Sequence, residues 1–396
     1  MTCNTVSLPL KFQVSTIPAM HTPGPESLSA RLPSLLIHRL TTAIAEHGAW
    51  LPFDRWMALA LYEPGLGYYA RGSQQFGSLP PTATAPGSDF VTAPELSPQF
   101  GQALARQVAQ ALDASGTAEV FEFGAGSGAL AAQLLAALGS RVQRYSIVDL
   151  SGTLREKQMQ TLAPWAGRVQ WLNAWPEAMQ GVVVGNEVLD AMPVQLLHFD
   201  GEDWFERGVV VENGAFAWAD RATTLRPPGQ HDFVPGTVTE IHPQAEAFIG
   251  TLAAHLQRGA AFFIDYGFPE AEYYHPQRHG GTLMCHRAHQ ADGNPLADVG
   301  DKDITAHVNF SGIALAGQDA GLDVLGYTSQ AHFLMNCGLL DLLQGADIRT
   351  VANAQKLLTE HEMGELFKVI GFAKSGAFGS VFEPIGFARG DRSHTL

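Results

Sequence analysis

The sequence has only three cysteines among its 396 residues, Cys3, Cys285 and Cys337, and they are widely spaced. This odd number supplies neither a disulfide framework nor a CxxC pair for a metal, which favours a reducing compartment. No apolar run approaches the roughly 18 residues that a membrane-spanning helix needs. Residues 1–27 lack the features of a secretory signal and are poor in the arginines of a transit peptide. We therefore expect a cytoplasmic protein of bacterial type, with no membrane span.

Basic residues are also scarce. The sequence has 24 lysines and arginines against 39 aspartates and glutamates, which gives a formal net charge of −15. A general nucleic-acid binder needs a basic surface, so we expect no nucleic-acid partner. An acidic surface could attract a basic partner, although an excess of acidic residues more often only keeps a protein soluble. Histidines are numerous in the second half, but their spacing matches no metal motif, and we predict no metal site. The histidines concerned are His275, His279, His286, His289 and His307.

The order of predicted elements indicates an α/β protein. Two helices are predicted between residues 28 and 62, from apolar residues at helical spacing and a start signal at Pro52. Residues 63–94 are rich in glycine, proline, serine and threonine and predict a loop. From Ser97 onward strands alternate with helices, which predicts a parallel sheet covered on both faces. Residues 195–238 change to short β-like segments with a hairpin turn at Asn213 and Gly214, and we interpret them as an insertion packed on that sheet.

The most informative segment joins a predicted strand, 118–123, to a predicted helix, 129–138. Its alternating glycines, Gly124, Gly126 and Gly128, let the backbone approach a ligand closely, and the new helix offers free N–H groups. This layout fits a nucleotide-type cofactor at the carboxyl end of a first core strand. Asp149, which ends the next strand, lies where an acid would bind ribose hydroxyls.

The glycines alone leave two cofactors open. Residues 126–131 satisfy the dinucleotide pattern G-x-G-x-x-G/A, which would suit an NAD-dependent oxidoreductase. Glu122 precedes the first glycine by two residues, and a carboxylate there would repel a pyrophosphate but attract the ammonium and sulfonium groups of S-adenosyl-L-methionine. The alternative is that Glu122 is a strand-end acid paired with an arginine. We interpret it as favouring S-adenosyl-L-methionine.

Residues 185–194, GNEVLDAMPV, resemble the MidA-like family of class I S-adenosylmethionine-dependent methyltransferases. Other segments match that family in the same order along the chain. They are residues 57–64, 67–69, 89–97, 264–267, 303–308 and 363–368. Two stretches depart from the family pattern, namely the loop before Asp89, which is longer, and residues 284–296. These departures leave the substrate open.

The resemblance implies a Rossmann-like core of seven strands, with a helical N-terminal region and inserted β and helical elements. It also implies methylation of a protein arginine, as assigned to the mitochondrial members, which assist assembly of respiratory complex I. The partner would be a respiratory-complex subunit or another protein, and the chain a monomer or a dimer. A second hypothesis is a non-catalytic assembly factor that retains the cofactor pocket and works by docking.

Three polar residues follow the fourth predicted core strand, where a class I fold would bind the acceptor. Glu187 and Asp190 could hold the planar fork of an arginine and Asn186 could orient it, so we predict all three as catalytic. Either acid could instead cap a turn.

Other candidates flank this segment. Asp265 and Tyr266 end the fifth core strand, and we predict them as substrate contacts together with His307. His307 could share a helix face with Asp303, although a buried structural pair is an equal alternative. Thr92 and Pro94 could form a lid over the cofactor. We therefore assign a set of residues to cofactor binding: Glu122, Gly124, Gly126, Gly128, Asp149, Thr92 and Pro94.

These observations divide the chain into five parts. Residues 1–27 are a flexible N-terminus, and residues 28–96 are a helical region with a loop or lid. The cofactor-binding half of the core covers 97–194, the β-rich insertion 195–242, and the second half of the core 243–396. Within the last part, residues 267–303 are expected to form a long ordered loop on the substrate side.

Overall fold

A computed structural model describes residues 28–70, 92–149, 152–287, 290–378 and 382–396. The predicted N-terminal segment 1–27, the loop residues 71–91 and His289 lie outside the described residues.

The described residues form twelve α-helices, of which the helix Ala129–Leu138 has the predicted bounds and the helix Ala93–Leu96 lies where a loop or lid was expected. Their bounds are α1 (Leu28–Glu46), α2 (Phe53–Tyr62), α3 (Ala93–Leu96), α4 (Pro98–Ser115), α5 (Ala129–Leu138), α6 (Gly152–Thr161), α7 (Pro243–His255), α8 (Glu270–Tyr273), α9 (Phe310–Asp319), α10 (Gln330–Asn336), α11 (Leu339–Leu342) and α12 (Ile348–Leu358).

The strands divide among three sheets. Their bounds are β1 (Leu51–Pro52), β2 (Glu119–Phe123), β3 (Arg144–Val148), β4 (Val169–Leu172), β5 (Met179–Asn186), β6 (Gln195–Phe199), β7 (Trp204–Glu212), β8 (Ala215–Ala222), β9 (Thr237–Ile241), β10 (Leu256–Phe268), β11 (Met284–Arg287), β12 (Gln290–Asp292), β13 (Asp303–Thr305), β14 (Val308–Asn309), β15 (Leu322–Ser329) and β16 (Phe367–Lys374).

The central sheet has the strand order β15-β16-β10-β5-β2-β3-β4, with β14 added beside β10. The strands from β10 to β4 are parallel, whereas β16 runs antiparallel to both of its neighbours. This arrangement confirms the expected α/β class and its core of seven strands. Since parallel strands end at one edge, the segments that follow β2, β3, β5 and β10 converge there.

Both faces of the central sheet are buried. Val182 and Val184 of β5 pack with α4 and α5 on one face, while Val183 packs with α7 and α9 on the other. Successive side chains of a strand point to opposite faces, so a strand covered on both sides needs apolar residues at every position. The run of three valines meets that need.

A second, antiparallel sheet has the order β1-β7-β6-β9, with β8 paired to β7. The predicted hairpin turn is present, since Asn213 and Gly214 join β7 to β8 with φ of 51° and 80°. This sheet shares a core with α1 and α2, including Trp56 and Val209, rather than packing on the central sheet as expected. The physical reason is that the apolar side of α2 requires cover, which β6 and β7 supply.

The segment 267–303 is not the long loop that was expected. It contains α8 and a small sheet of order β12-β11-β13. The buried Glu240 carboxylate accepts the Thr282 and Leu283 N–H groups at 2.8 and 2.9 Å, and Lys302 pairs with Asp292 at 2.7 Å. These hydrogen bonds and this ion pair hold in place a segment whose sequence shows little apolar periodicity. Within the described part of the chain, no helix is both long and apolar enough to cross a bilayer.

Candidate active site

A cavity of about 890 Å³ lies at the carboxyl ends of the parallel strands. One part of its wall comes from the segments that follow β2, β3 and β5. The other part comes from α2, α3 and residues of β11 and β13, outside the central sheet. The cavity therefore lies between the edge of the central sheet where parallel α/β folds bind ligands and the helices and strands outside that sheet.

The glycine segment after β2 adopts a backbone that favours glycine. Gly124, Gly126 and Gly128 have φ of 66°, 51° and 83°, all in the left-handed region. A Cβ on Gly124 would lie 3.0 Å from a methyl group of Val188, so the space is also tight. Gly124 and Gly126 line the cavity, whereas Gly128 precedes α5 as its N-cap and is not part of the wall.

Glu122 is buried and lines the cavity. Burial raises the pKa of its carboxyl to about 8, while a hydrogen bond from the Tyr145 hydroxyl at 2.7 Å opposes the rise and Asp149 adds to it. Glu122 forms no ion pair with a lysine or arginine among the described residues. The alternative of an arginine pair is therefore not what the structure contains, and a cationic ligand would supply the missing partner.

Asp149 borders the cavity beside the glycine segment, and Gln158 of α6 links the two. The buried Gln158 donates to Asp149 Oδ2 at 2.9 Å and to the Gly126 carbonyl at 3.0 Å, and it accepts from Trp171 at 2.8 Å. The amide fixes the carboxylate relative to the loop. Sequence reasoning missed Gln158, because a single glutamine in a helix carries no signal of such a role.

Helix α3 packs against the glycine segment and the start of α5. Thr92, Pro94 and Glu95 line the cavity, and the Ser127 hydroxyl donates to the Glu95 carboxylate. Gln133 of α5 donates to the Pro94 carbonyl at 2.7 Å. Thr92 and Pro94 are thus in contact with the cavity, as a lid requires.

Glu187 follows β5 with a φ of 53°, which a residue with a side chain rarely adopts. Its N–H donates to the Ile264 carbonyl at 2.9 Å, and the Asn186 amide donates to its carboxylate at 2.9 Å. Burial raises the pKa of Glu187 to about 8, with a further contribution from Asp190. Both Asn186 and Glu187 line the cavity. Glu187 therefore combines a strained backbone conformation with a carboxylate whose ionised form is unfavourable.

Asp190 also lines the cavity and is buried. Burial raises its pKa to about 6, against a hydrogen bond from the Tyr266 hydroxyl at 2.6 Å. Its other oxygen, Oδ1, has no hydrogen-bond partner among the described residues, and neither has Asn186 Oδ1. These acceptor oxygens are suited to a ligand rich in N–H donors.

Asp265 differs from the prediction of a substrate contact. It is buried and does not line the cavity, because its Oδ2 faces the turn that follows β5. That oxygen accepts the N–H groups of Val188, Leu189 and Asp190 at 3.1, 2.9 and 3.3 Å. Asp265 therefore shapes the turn that carries the candidate catalytic acids.

His307 and Tyr266 border the same cavity. The His307 ring stacks on Phe268, with centroids 5.2 Å and planes 6° apart, and burial lowers its pKa to about 4. His307 is thus neutral near pH 7. The expected helix shared with Asp303 is absent, because Asp303 begins β13 and His307 follows that strand.

Several cavity residues were not predicted from the sequence. Tyr62 and Tyr69 stack on each other, and Trp175 packs against Phe123 and Phe248. Tyr62 and Tyr69 lie in two segments that match the family, 57–64 and 67–69, but aromatic residues are usually assigned to the core, and Trp175 lies in no such segment. Among the described residues, no cluster of three or more histidine, cysteine or acidic side chains could hold a metal ion.

Comparison with known proteins adds to this geometry. A family model described as "Putative S-adenosyl-L-methionine-dependent methyltransferase" matches residues 103–328. A Burkholderia thailandensis protein solved with bound S-adenosyl-homocysteine is similar over 94% of this chain and 99% of its own, with 53% identity and a TM-score of 0.88.

Curated relatives are more distant. The mitochondrial protein arginine methyltransferase NDUFAF7 of Homo sapiens is 28% identical, over 70% of this chain and 72% of its own. The same protein of Xenopus tropicalis is 25% identical, over 76% of this chain and 79% of its own. The expectation of a cytoplasmic location is contradicted by these names, since the relatives are mitochondrial. Composition and cysteine count do not distinguish the two reducing environments.

Proposed function

This chain belongs to the family of S-adenosyl-L-methionine-dependent methyltransferases, and we propose that it transfers the methyl group to an arginine side chain of a protein. The observation that carries the proposal is the pair of acids Glu187 and Asp190 on the cavity wall. The curated relatives, which are named protein arginine methyltransferases, support the same acceptor.

The acids after β5 lack the cationic partners that would stabilise their ionised forms. Glu187, Asp190 and the nearby Asp265 form no ion pair with any lysine or arginine in the part of the chain that is described. Burial raises the pKa of each, and neighbouring carboxyls contribute to the rise at Glu187 and Asp265. A guanidinium brings a delocalised charge and five N–H donors, so its arrival beside Glu187 and Asp190 would let both ionise and would give Asp190 Oδ1 a donor.

For the cofactor we propose the cavity residues at the ends of β2 and β3. Glu122 would attract the ammonium group, Asp149 would accept from ribose hydroxyls, and the backbone of Gly124 and Gly126 would lie against the ligand. Thr92 and Pro94 would close the site from α3. When bound, S-adenosyl-L-methionine supplies an electrophilic methyl group on a sulfonium.

The acceptor residues would contribute alignment and charge. Glu187 and Asp190 would fix the guanidinium so that one nitrogen faces the methyl group, with Asn186 limiting its rotation. As that nitrogen forms its new bond it loses a proton, and the ionised Glu187 carboxylate can accept this proton, because burial favours the protonated form of the group. Neutral His307 adds no competing positive charge to this wall.

The test separates transfer from docking. The protein, Glu187→Gln and the control Glu119→Gln are incubated with labelled S-adenosyl-L-methionine and a cell lysate, and cofactor binding is measured by calorimetry. Glu119 is at the amino end of β2, with Arg144 3.7 Å away, and is outside the cavity wall. We expect all three to bind cofactor, and only Glu187→Gln to lose protein labelling. Equal labelling by Glu187→Gln, or label on lysine or nucleic acid, would contradict the proposal.

A further inference from the structure

Tyr62, the last residue of α2, exposes 41% of its surface although its ring is held at two points. Its hydroxyl donates to the Ala191 carbonyl at 2.8 Å. One ring face stacks on Tyr69, with centroids 5.5 Å and planes 20° apart. Because Tyr69 covers that face, a ligand could stack only on the other face of the ring. Tyr62 lines the cavity, so an oriented aromatic surface borders the ligand space.

Two acids of the cavity, Asp190 and Asp303, are linked to this ring pair. Ala191, which accepts the Tyr62 hydroxyl, directly follows Asp190 in the chain. Tyr69, the ring behind Tyr62, donates to the Asp303 carboxylate at 2.8 Å. Both Asp190 and Asp303 line the same cavity. The ring pair is therefore hydrogen-bonded directly to the Asp303 carboxylate and, through the Ala191 carbonyl, to the backbone of the residue after Asp190.

Such a combination suits a flat cation. An aromatic face attracts a positive charge placed over it, and a guanidinium can lie parallel to the ring while its N–H edges point outward to carboxylates. An ammonium has no plane to match the ring and is more strongly hydrated. Because the ring is already immobilised, stacking costs little additional side-chain entropy.

We propose that Tyr62 is a specificity-determining residue of the acceptor site, where its free face stacks on the guanidinium plane and selects arginine over lysine. This inference rests on the proposed function, since it concerns the same site. It adds the N-terminal helical region to the acceptor site, and it explains why a large aromatic side chain is left exposed at the end of α2.

The test uses N-acetyl-L-argininamide and N-acetyl-L-lysinamide as competitors of labelled-methyl transfer into lysate protein. For the unsubstituted protein we expect the arginine probe to inhibit at lower concentration than the lysine probe. Tyr62→Leu removes the ring and should raise the arginine inhibition constant roughly 2- to 30-fold, the range of a cation–π contact. Tyr62→Phe and Tyr62→Trp keep a ring and should remain within about threefold. Binding of S-adenosyl-homocysteine reports whether each variant is folded.

The outcomes separate the two proposals. If the protein methylates arginine and Tyr62→Leu binds S-adenosyl-homocysteine with an unchanged arginine inhibition constant, the role of Tyr62 is overturned and the acceptor assignment stands. If the lysine probe competes as well as the arginine probe, the selection by Tyr62 is likewise overturned. If the label is found on lysine or on a small molecule, the acceptor assignment itself fails.

Discussion

Replacing Glu187 with glutamine should stabilise the protein near neutral pH while it removes methyl transfer. The pKa of this carboxyl is raised from 4.5 to about 8, chiefly by burial. Above pH 4.5 the unfolded chain releases the proton while the folded chain retains it, so folding stability falls as pH rises from 4.5 to 8. Glutamine keeps the shape and can still accept from Asn186, but it has no charge to bury.

The stability gain of Glu187→Gln can be calculated from the difference between the pKa values of Glu187 in the unfolded and folded chain. Each pH unit between 4.5 and the working pH costs at most about 1.4 kcal/mol, and the side chain is only half-buried, so we expect a gain on the order of 1–3 kcal/mol at pH 7. At pH 5 the gain should be under about 1 kcal/mol. The free energy of unfolding is measured by urea denaturation at pH 5.0 and 7.5 without added cofactor, beside Glu119→Gln. If the stability of Glu187→Gln relative to the unsubstituted protein is the same at pH 5.0 and pH 7.5, the buried Glu187 carboxyl does not have the raised pKa proposed for it.

Three further predictions concern the cavity. The kcat/KM for transfer should rise with pH between about 6 and 8, as Asp190 and Glu187 become able to ionise against the acceptor cation; a flat profile over that range would contradict their role. Gln158→Leu should weaken S-adenosyl-homocysteine binding by roughly 5- to 30-fold in calorimetry, since Asp149 loses a buried donor, and an unchanged Kd would remove Gln158 from the site. Gly124→Ala should weaken that binding too, whereas Gly65→Ala, at a similar φ of 72° but in open space, should cost only about 1 kcal/mol of stability and leave the Kd unaltered.

The sequence predicts best where local chemistry decides the structure. Helix α5 has the predicted bounds, Ala129–Leu138, because glycines mark its start and an apolar run defines its length. The hairpin turn at Asn213 and Gly214 is confirmed for the same reason, since few residues adopt its backbone angles. Alternating strands and helices were sufficient to predict the central sheet.

Parts of the site could not be predicted, because they depend on distant contacts. Tyr69 donates to Asp303, which is 234 residues away, and no local pattern indicates that pair. Segment 267–303 is ordered through the buried Glu240, which belongs to a different sheet. Asp265 was predicted to end a core strand, as a ligand-binding acid would, yet it lies three residues before the end of β10 and its carboxylate accepts three backbone N–H groups. The direction of a side chain at a strand end is set by the neighbouring turn, which the sequence does not specify.

We propose that the acids after β5, Glu187 and Asp190, bind the arginine acceptor. The most direct test is mass spectrometry of lysate proteins treated with the purified chain and S-adenosyl-L-methionine carrying a ¹³C-methyl group. We expect labelled methyl groups on arginine side-chain nitrogens, and none on arginine when Glu187→Gln replaces the unsubstituted protein. Labelled methyl groups on lysine or on non-protein molecules, with none on arginine, would contradict it.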